Sequence, residues 1–103
     1  MDAYNDISTH YARLDKLLEH RSRLAICSLL AKYDQVSFRR FKELLGETDG
    51  NLGAQLRKLE DADYITVSKE FEGRKPISWY SITKQGRAAL VKHIQALKGL
   101  TEL

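Results

Sequence analysis

One cysteine, Cys27, and one proline, Pro76, stand among the 103 residues. A lone cysteine excludes an intrachain disulfide and fits a reducing compartment. The fold must then rest on its core, which a chain of this length can build without staples. The six glycines are scattered and make no phosphate-cradling loop. The other soft metal ligands, His10, His20 and His93, form no close pair with each other or with Cys27. We therefore expect no metal and no cofactor. No Ser-His-Asp set and no supported carboxylate pair is visible, so we expect no enzymatic activity. Apolar runs fall short of the ~20 residues of a membrane span. The polar opening, with Asp2 and Asp6, lacks the pattern of a signal peptide. The expectation is a cytoplasmic protein with no membrane partner.

What is present is a mild excess of positive charge, 17 Lys and Arg against 14 Asp and Glu. Such an excess permits nucleic-acid binding, and the distribution of the charge must decide. Apolar periodicity predicts a helix over residues 9–20, with Tyr11, Leu14, Leu17 and Leu18 on one face. A second helix is predicted over 22–32, with Leu24, Cys27 and Leu30 along one side. Cys27 in that setting reads as a small core residue. Residues 33–36 read as a joint. Ser37 then caps a short helix carrying Phe38, Phe41, Leu44 and Leu45, which ends at Gly46.

Thr48 is the next N-cap, with Asp49 in the first turn where negative charge suits the helix dipole. This helix extends over residues 48–62, with Leu52, Leu56 and Leu59 facing the core. Residues 64–71 and 77–82 have strand character and flank a turn at 72–76, so they predict a hairpin. Thr83 opens a last helix whose apolar face carries Leu90, Val91, Ile94 and Leu97. The two middle helices are joined by about three residues, the length of a helix-turn-helix connection, and a hairpin follows directly. Trp79 should point away from the core if Tyr80 and Ile82 point in.

With its leucines inward, the helix at 48–62 turns Gly50, Ala54, Arg57, Lys58 and Asp61 outward, with Asn51 and Gln55 on one flank. Gly50 and Ala54 permit close approach to a groove. Asn51 and Gln55 can each donate and accept, as contact with adenine requires. Arg57 and Lys58 suit phosphate or guanine. Lys69, Arg74 and Lys75 make the hairpin tip basic, suited to a minor groove or the backbone. Ser37, Arg39 and Arg40 on the preceding helix, and Thr48 at the cap, complete the expected DNA-binding surface.

Four segments, in order, resemble the winged-helix regulators of the MarR/ArsR-like superfamily, closest to a compact single-domain subgroup. Residues 36–45 resemble the first part of the winged-helix unit. Residues 48–60 resemble its recognition helix, and Glu72-Gly73-Arg74-Lys75-Pro76 its wing tip. The run from Tyr80 to Arg87 resembles the Y-x-L-T-x-x-G-R start of its last helix. The resemblance covers roughly residues 21–97. Departures are Gly53 and Gln55, where Ser and His are common, and Asp63, where a Gly usually precedes the wing.

The resemblance implies an α+β, mainly α fold: a winged helix-turn-helix with a two-stranded wing and additional terminal helices. We expect one domain over 1–103, with an N-terminal helix in 1–20, a core in 21–82 and a C-terminal helix in 83–103. The implied activity is sequence-specific binding of double-stranded DNA at a pseudo-palindromic operator, by a homodimer acting as a repressor or an activator, and of the two we expect a repressor. The expected dimer interface is Tyr11, Leu14, Leu17, Leu18, Leu90, Val91, Ile94 and Leu97. The competing reading is a winged helix that contacts protein and has no specific DNA site.

Overall fold

Short polar side chains set most of the element boundaries. The hydroxyl of Ser37 accepts a hydrogen bond from the Arg40 N–H at 3.1 Å, that of Thr48 from Asn51 at 3.1 Å, and that of Thr83 from Gly86 at 2.9 Å. Each satisfies a donor that a helix start would leave unpaired, worth about 1 kcal/mol. In the computed structural model, which describes residues 3–102, the helices are α1 (Ala3–Ala12), α2 (Arg21–Lys32), α3 (Phe38–Leu45), α4 (Asp49–Asp61) and α5 (Lys84–Thr101). The strands are β1 (Val36–Ser37), β2 (Ile65–Glu72) and β3 (Lys75–Ile82), and a 3₁₀ turn spans Lys16–Glu19.

Two expectations need correction. The helix expected over residues 9–20 is interrupted: α1 ends at Ala12 and the separate 3₁₀ turn follows. Asp15 is the cause. Its Oδ1 accepts from the Leu17 N–H at 2.9 Å, while its own N–H donates to His93 Nδ1 at 2.9 Å. A side chain that bonds nearby backbone in this way offers an alternative to the helical ladder. Tyr11 and Leu18 therefore do not share one helix face. The second correction concerns the sheet, which has three strands in the order β1-β3-β2, all antiparallel. The joint before α3 contributes Val36 and Ser37, paired with Tyr80 and Trp79.

The core lies where α2, α3 and α4 meet the base of the sheet. Ile26, Cys27 and Leu30 of α2, Phe41 of α3, Leu52, Leu56 and Leu59 of α4, and Ile65 of β2 are buried there. The Tyr80 ring meets Phe41 edge-on, with centroids 6.1 Å apart. That leaves the adjacent Trp79 on the opposite face, half-buried, as the strand alternation requires. β2 and β3 run outward from this base to a two-residue loop. Gly73, at φ 64°, takes its first position, the residue a II′ hairpin favours there. The molecule extends 61 × 25 × 21 Å with a radius of gyration of 15.8 Å. A compact chain of this length would have about 13 Å.

Two backbone contacts join α4, the wing and α5. At the end of α4 the Tyr64 N–H reaches back to the Leu59 carbonyl at 2.9 Å, which closes a Schellman turn with Asp63 in the left-handed region at φ 62°. This is the position where the regulators that the sequence resembles usually carry glycine. At the start of α5, a Cβ on Gly86 would lie 2.1 Å from the Tyr64 carbonyl oxygen, so only glycine allows this approach. Asp63→Gly should therefore raise stability by about 0.5–1 kcal/mol, relief of left-handed strain less the added chain entropy. Gly86→Ala should lower it by about 3 kcal/mol, the upper range for overpacking. Urea titrations with unchanged m-values would measure both; a destabilised Asp63→Gly or a neutral Gly86→Ala would contradict this account of the junction.

Candidate nucleic-acid interface

Leucine periodicity divides α4 into two faces. Leu52, Leu56 and Leu59 are buried, while Gly50, Asn51, Ala54, Arg57, Lys58 and Asp61 are exposed. Among the described residues nothing lies within 4 Å of where a Cβ on Gly50 would stand, so the face is open at that position. Thr48 is spent on capping, its hydroxyl turned to the Asn51 N–H. The outward face is small and polar at its start and basic beyond.

Gln55 does not belong to that face. It is 7% exposed, its Oε1 accepts from Arg23 Nη1 at 2.5 Å, and its Nε2 donates to Asn51 Oδ1 at 3.2 Å. The flank position is closed by Arg23 of α2, and a buried amide with both ends engaged is not available to a base. Arg23 is itself held, through Nε, by the Leu17 carbonyl at 2.6 Å. Asn51 donates through Nδ2 to Glu47 Oε2 at 2.5 Å, and Ser22 donates to Glu47 Oε1 at 2.5 Å. The hydrogen bonds from Ser22 and Asn51, then the nearby charge of Arg21, hold the Glu47 carboxyl below its usual range. Glu47, Ser22 and Arg23 were not among the expected site residues. The four-residue spacing of 47, 51 and 55 was the available signal.

On α3, Arg39 and Arg40 both pair with Glu43, at 3.3 and 3.1 Å, and Lys42 pairs with Asp49 at 2.7 Å. These pairs are exposed, and exposed pairs contribute little, so they leave the arginines open to exchange Glu43 for another anion. Ser37 is half-buried between β1 and α3, where it serves as the cap. On the wing, Lys69, Arg74 and Lys75 are exposed. Strand alternation places Lys69 and Phe71 on the face of Ile65 and Val67, and sends Glu70 and Glu72 to the other. Gly53, Arg57, Val67 and Lys69 line one cleft, so the outer part of α4 and the carboxylate-free face of β2 border the same space.

The terminal segments divide differently from expectation. Leu18 and Leu90 are buried at 0% and 3% exposure in the chain's own core and are withdrawn from the expected dimer surface. α1 packs along α5, with the His10 ring against Gly99. Leu14, Leu17 and Leu97 are half-buried, and Tyr11, Val91 and Ile94 remain at 71%, 48% and 41% exposure, together with Ile7. Among the described residues no helix is long and apolar enough to cross a membrane, and no three metal-ligating side chains gather. His20 caps α2 by accepting from the Ser22 N–H at 3.1 Å.

Residues 22–101 match the family described as winged helix DNA-binding domain. An uncharacterized protein of Methanocaldococcus jannaschii is 30% identical over 87 residues, 84% of this chain and 95% of that protein. A transcriptional regulator homologue from Pyrococcus horikoshii has a structure similar over 93% of both chains, with a TM-score of 0.80 at 23% identity. MarR from E. coli superposes over 95% of this chain and 78% of its own, with a TM-score of 0.66 at 13% identity. The resemblance to MarR-type winged helices read from the sequence thus holds at the level of the fold.

Cys27 is fully buried, and its thiol is pushed up to about 12 by burial and then by the charge of Asp15. A reactive thiol needs exposure and a lowered pKa, so this one is inert in the folded chain. A thiol reagent should label it at neutral pH only after denaturation; stoichiometric labelling of the native protein would contradict the packing. Because the folded state holds the proton more tightly than the unfolded one, this contribution to stability is intact below about pH 9 and is lost as the pH climbs toward about 12. Tyr64, raised to about 12 by burial and by its hydrogen bond to Asp15, acts in the same direction. The urea midpoint should fall across that window.

Proposed function

This chain belongs to the family of winged helix DNA-binding domains, and on that premise we propose that it is a transcriptional regulator binding duplex DNA as a homodimer. The observation that carries this reading is the exposed face of α4, with Gly50, Asn51, Ala54, Arg57 and Lys58 clear of the core. In the proposed complex α4 enters the major groove by its N-terminal end. Gly50 and Ala54 allow close approach, and the Asn51 amide meets a base edge. Arg57 and Lys58 meet phosphate. Arg39, Arg40 and the caps at Ser37 and Thr48 lie along the backbone, and Lys69, Arg74 and Lys75 bring the wing to the minor groove or its phosphates. Repression, by occupation of the site, is the proposed sign.

The dimer reading is supported by apolar surface that the chain leaves uncovered. Tyr11 on α1 and Val91 and Ile94 on α5 are exposed, flanked by half-buried Leu14, Leu17 and Leu97. The elongation of the molecule agrees with an arm that expects a partner. A two-fold dimer sets two reading helices about one helical turn apart, ~34 Å, and so implies a pseudo-palindromic operator.

DNA binding should depend steeply on salt. With about eight phosphates contacted, log K against log salt has a slope near −7. Asn51→Ala should cost about 1–3 kcal/mol on a selected operator, while Arg74→Ala should weaken binding on all sequences and flatten the slope. A salt-independent protein that captures only other proteins would instead be an interaction module. Sedimentation equilibrium should give about twice the 11.8 kDa chain mass, and Ile94→Glu should return the monomer with its fold intact. A monomeric wild type would end the dimer proposal.

A further inference from the structure

Arg23, Gln55, Asn51 and Glu47 form one unbranched chain of hydrogen bonds, and its two ends have opposite chemistry. A guanidinium can only donate and a carboxylate can only accept. Side-chain amides usually admit two orientations. Here each is determined by its neighbour. Arg23 donates to Gln55, so the Gln55 oxygen faces Arg23 and its nitrogen faces Asn51. The Asn51 oxygen therefore faces Gln55 and its nitrogen faces Glu47, which accepts. The Arg23 end is buttressed by the Leu17 carbonyl and the Glu47 end by the Ser22 hydroxyl.

This leaves Asn51 half used. A primary amide has two N–H donors and two lone pairs, and the chain consumes one of each. One donor and one acceptor remain on an exposed side chain. Adenine presents N7 as acceptor and N6 as donor in the major groove, and the paired thymine presents O4 as a second acceptor on the far side of N6. An amide free to flip would accept the pair in either direction. An amide of fixed polarity would not.

We propose that Arg23, Gln55 and Glu47 are positioning residues for base recognition, locking the Asn51 amide so that it distinguishes A·T from T·A at one position of each half-site. This rests on the DNA-binding reading above, and the experiment separates the two. Preferred sites are selected from a random duplex library, and the position read by Asn51 is identified as the one whose preference is lost in Asn51→Ala. Gln55→Glu keeps an acceptor for Arg23 but presents a second carboxylate to Asn51, opposite Glu47, and the preference at that position should fall roughly tenfold. The double variant Glu47→Gln/Gln55→Glu keeps the Arg23 bond and reverses both bonds of Asn51: the new carboxylate at 55 accepts from Arg23 and Asn51, and the new amide at 47 donates to the Asn51 oxygen. It carries the same net charge, so the salt slope should not move. Its preference at that position should change from one orientation of the pair to the other. Glu47→Gln alone loosens one end of the lock while Arg23 still sets its direction, so it should keep the wild-type base with a weaker preference.

A double variant with the wild-type preference, or with none, overturns the assignment. If the double variant does not fold, the wild-type protein still decides: by NMR, the Asn51 and Gln55 side-chain amide protons should exchange with solvent about tenfold slower than free amides, and free exchange rejects the lock. A wild type that selects no sequence overturns the DNA-binding reading, and this proposal with it.

Discussion

The carbonyl of Tyr64 is the contact on which the arrangement of the molecule depends. It accepts the Thr83 N–H at 3.0 Å, it shares the Thr83 hydroxyl with the Asp63 carbonyl at 3.0 and 2.6 Å, and the start of α5 rests on it at a distance only glycine allows. The same residue closes the turn that ends α4 and opens β2, and its phenol donates to Asp15, which in turn bonds His93 of α5. The end of α4, the root of the β2–β3 hairpin, the root of the long terminal helix and the 3₁₀ turn are thereby tied within a few residues. The Thr83 N–H satisfies the Tyr64 carbonyl and the Thr83 hydroxyl bridges it to its neighbour, so the junction has little reason to slip.

That junction fixes the relative direction of α4 and the β2–β3 hairpin through directional backbone contacts. The left-handed Asp63 is the local cost of turning the chain so sharply from α4 into β2. The segregation of charge follows from the same geometry. Once β2 leaves the core in this register, alternation alone sends Glu70 and Glu72 away from the face shared with Lys69. The repulsion that those two carboxylates would exert on a phosphate backbone is directed elsewhere, and Glu60 of α4 is the carboxylate left beside the cleft.

Polar groups partly withdrawn from solvent do a second kind of work. Asp15 and the chain from Arg23 to Glu47 each connect segments distant in sequence through satisfied hydrogen bonds, and among the described residues no buried side-chain nitrogen or oxygen lacks a partner. A satisfied polar network holds one arrangement where apolar packing would tolerate several. The outer half of α2 thus supports α4 from behind through directional contacts, while the leucines below supply the undirected cohesion.

The sequence by itself determined the helix starts at Ser37, Thr48 and Thr83, the inward leucines of α4, the hairpin and the polar outer face of α4. These depend on interactions within three or four residues, or on a periodicity that the backbone imposes. Four features were decided only by the tertiary structure. The break at Asp15 needs His93, 78 residues away. The burial of Gln55 needs Arg23, 32 residues away, because a flank position on a helix is open or closed according to its neighbour. The two-residue β1 exists only because β3 passes beside it. Leu18 and Leu90 entered the core, and Tyr11, Val91 and Ile94 did not, because periodicity marks a face as apolar but says nothing about which part of that face another segment will reach.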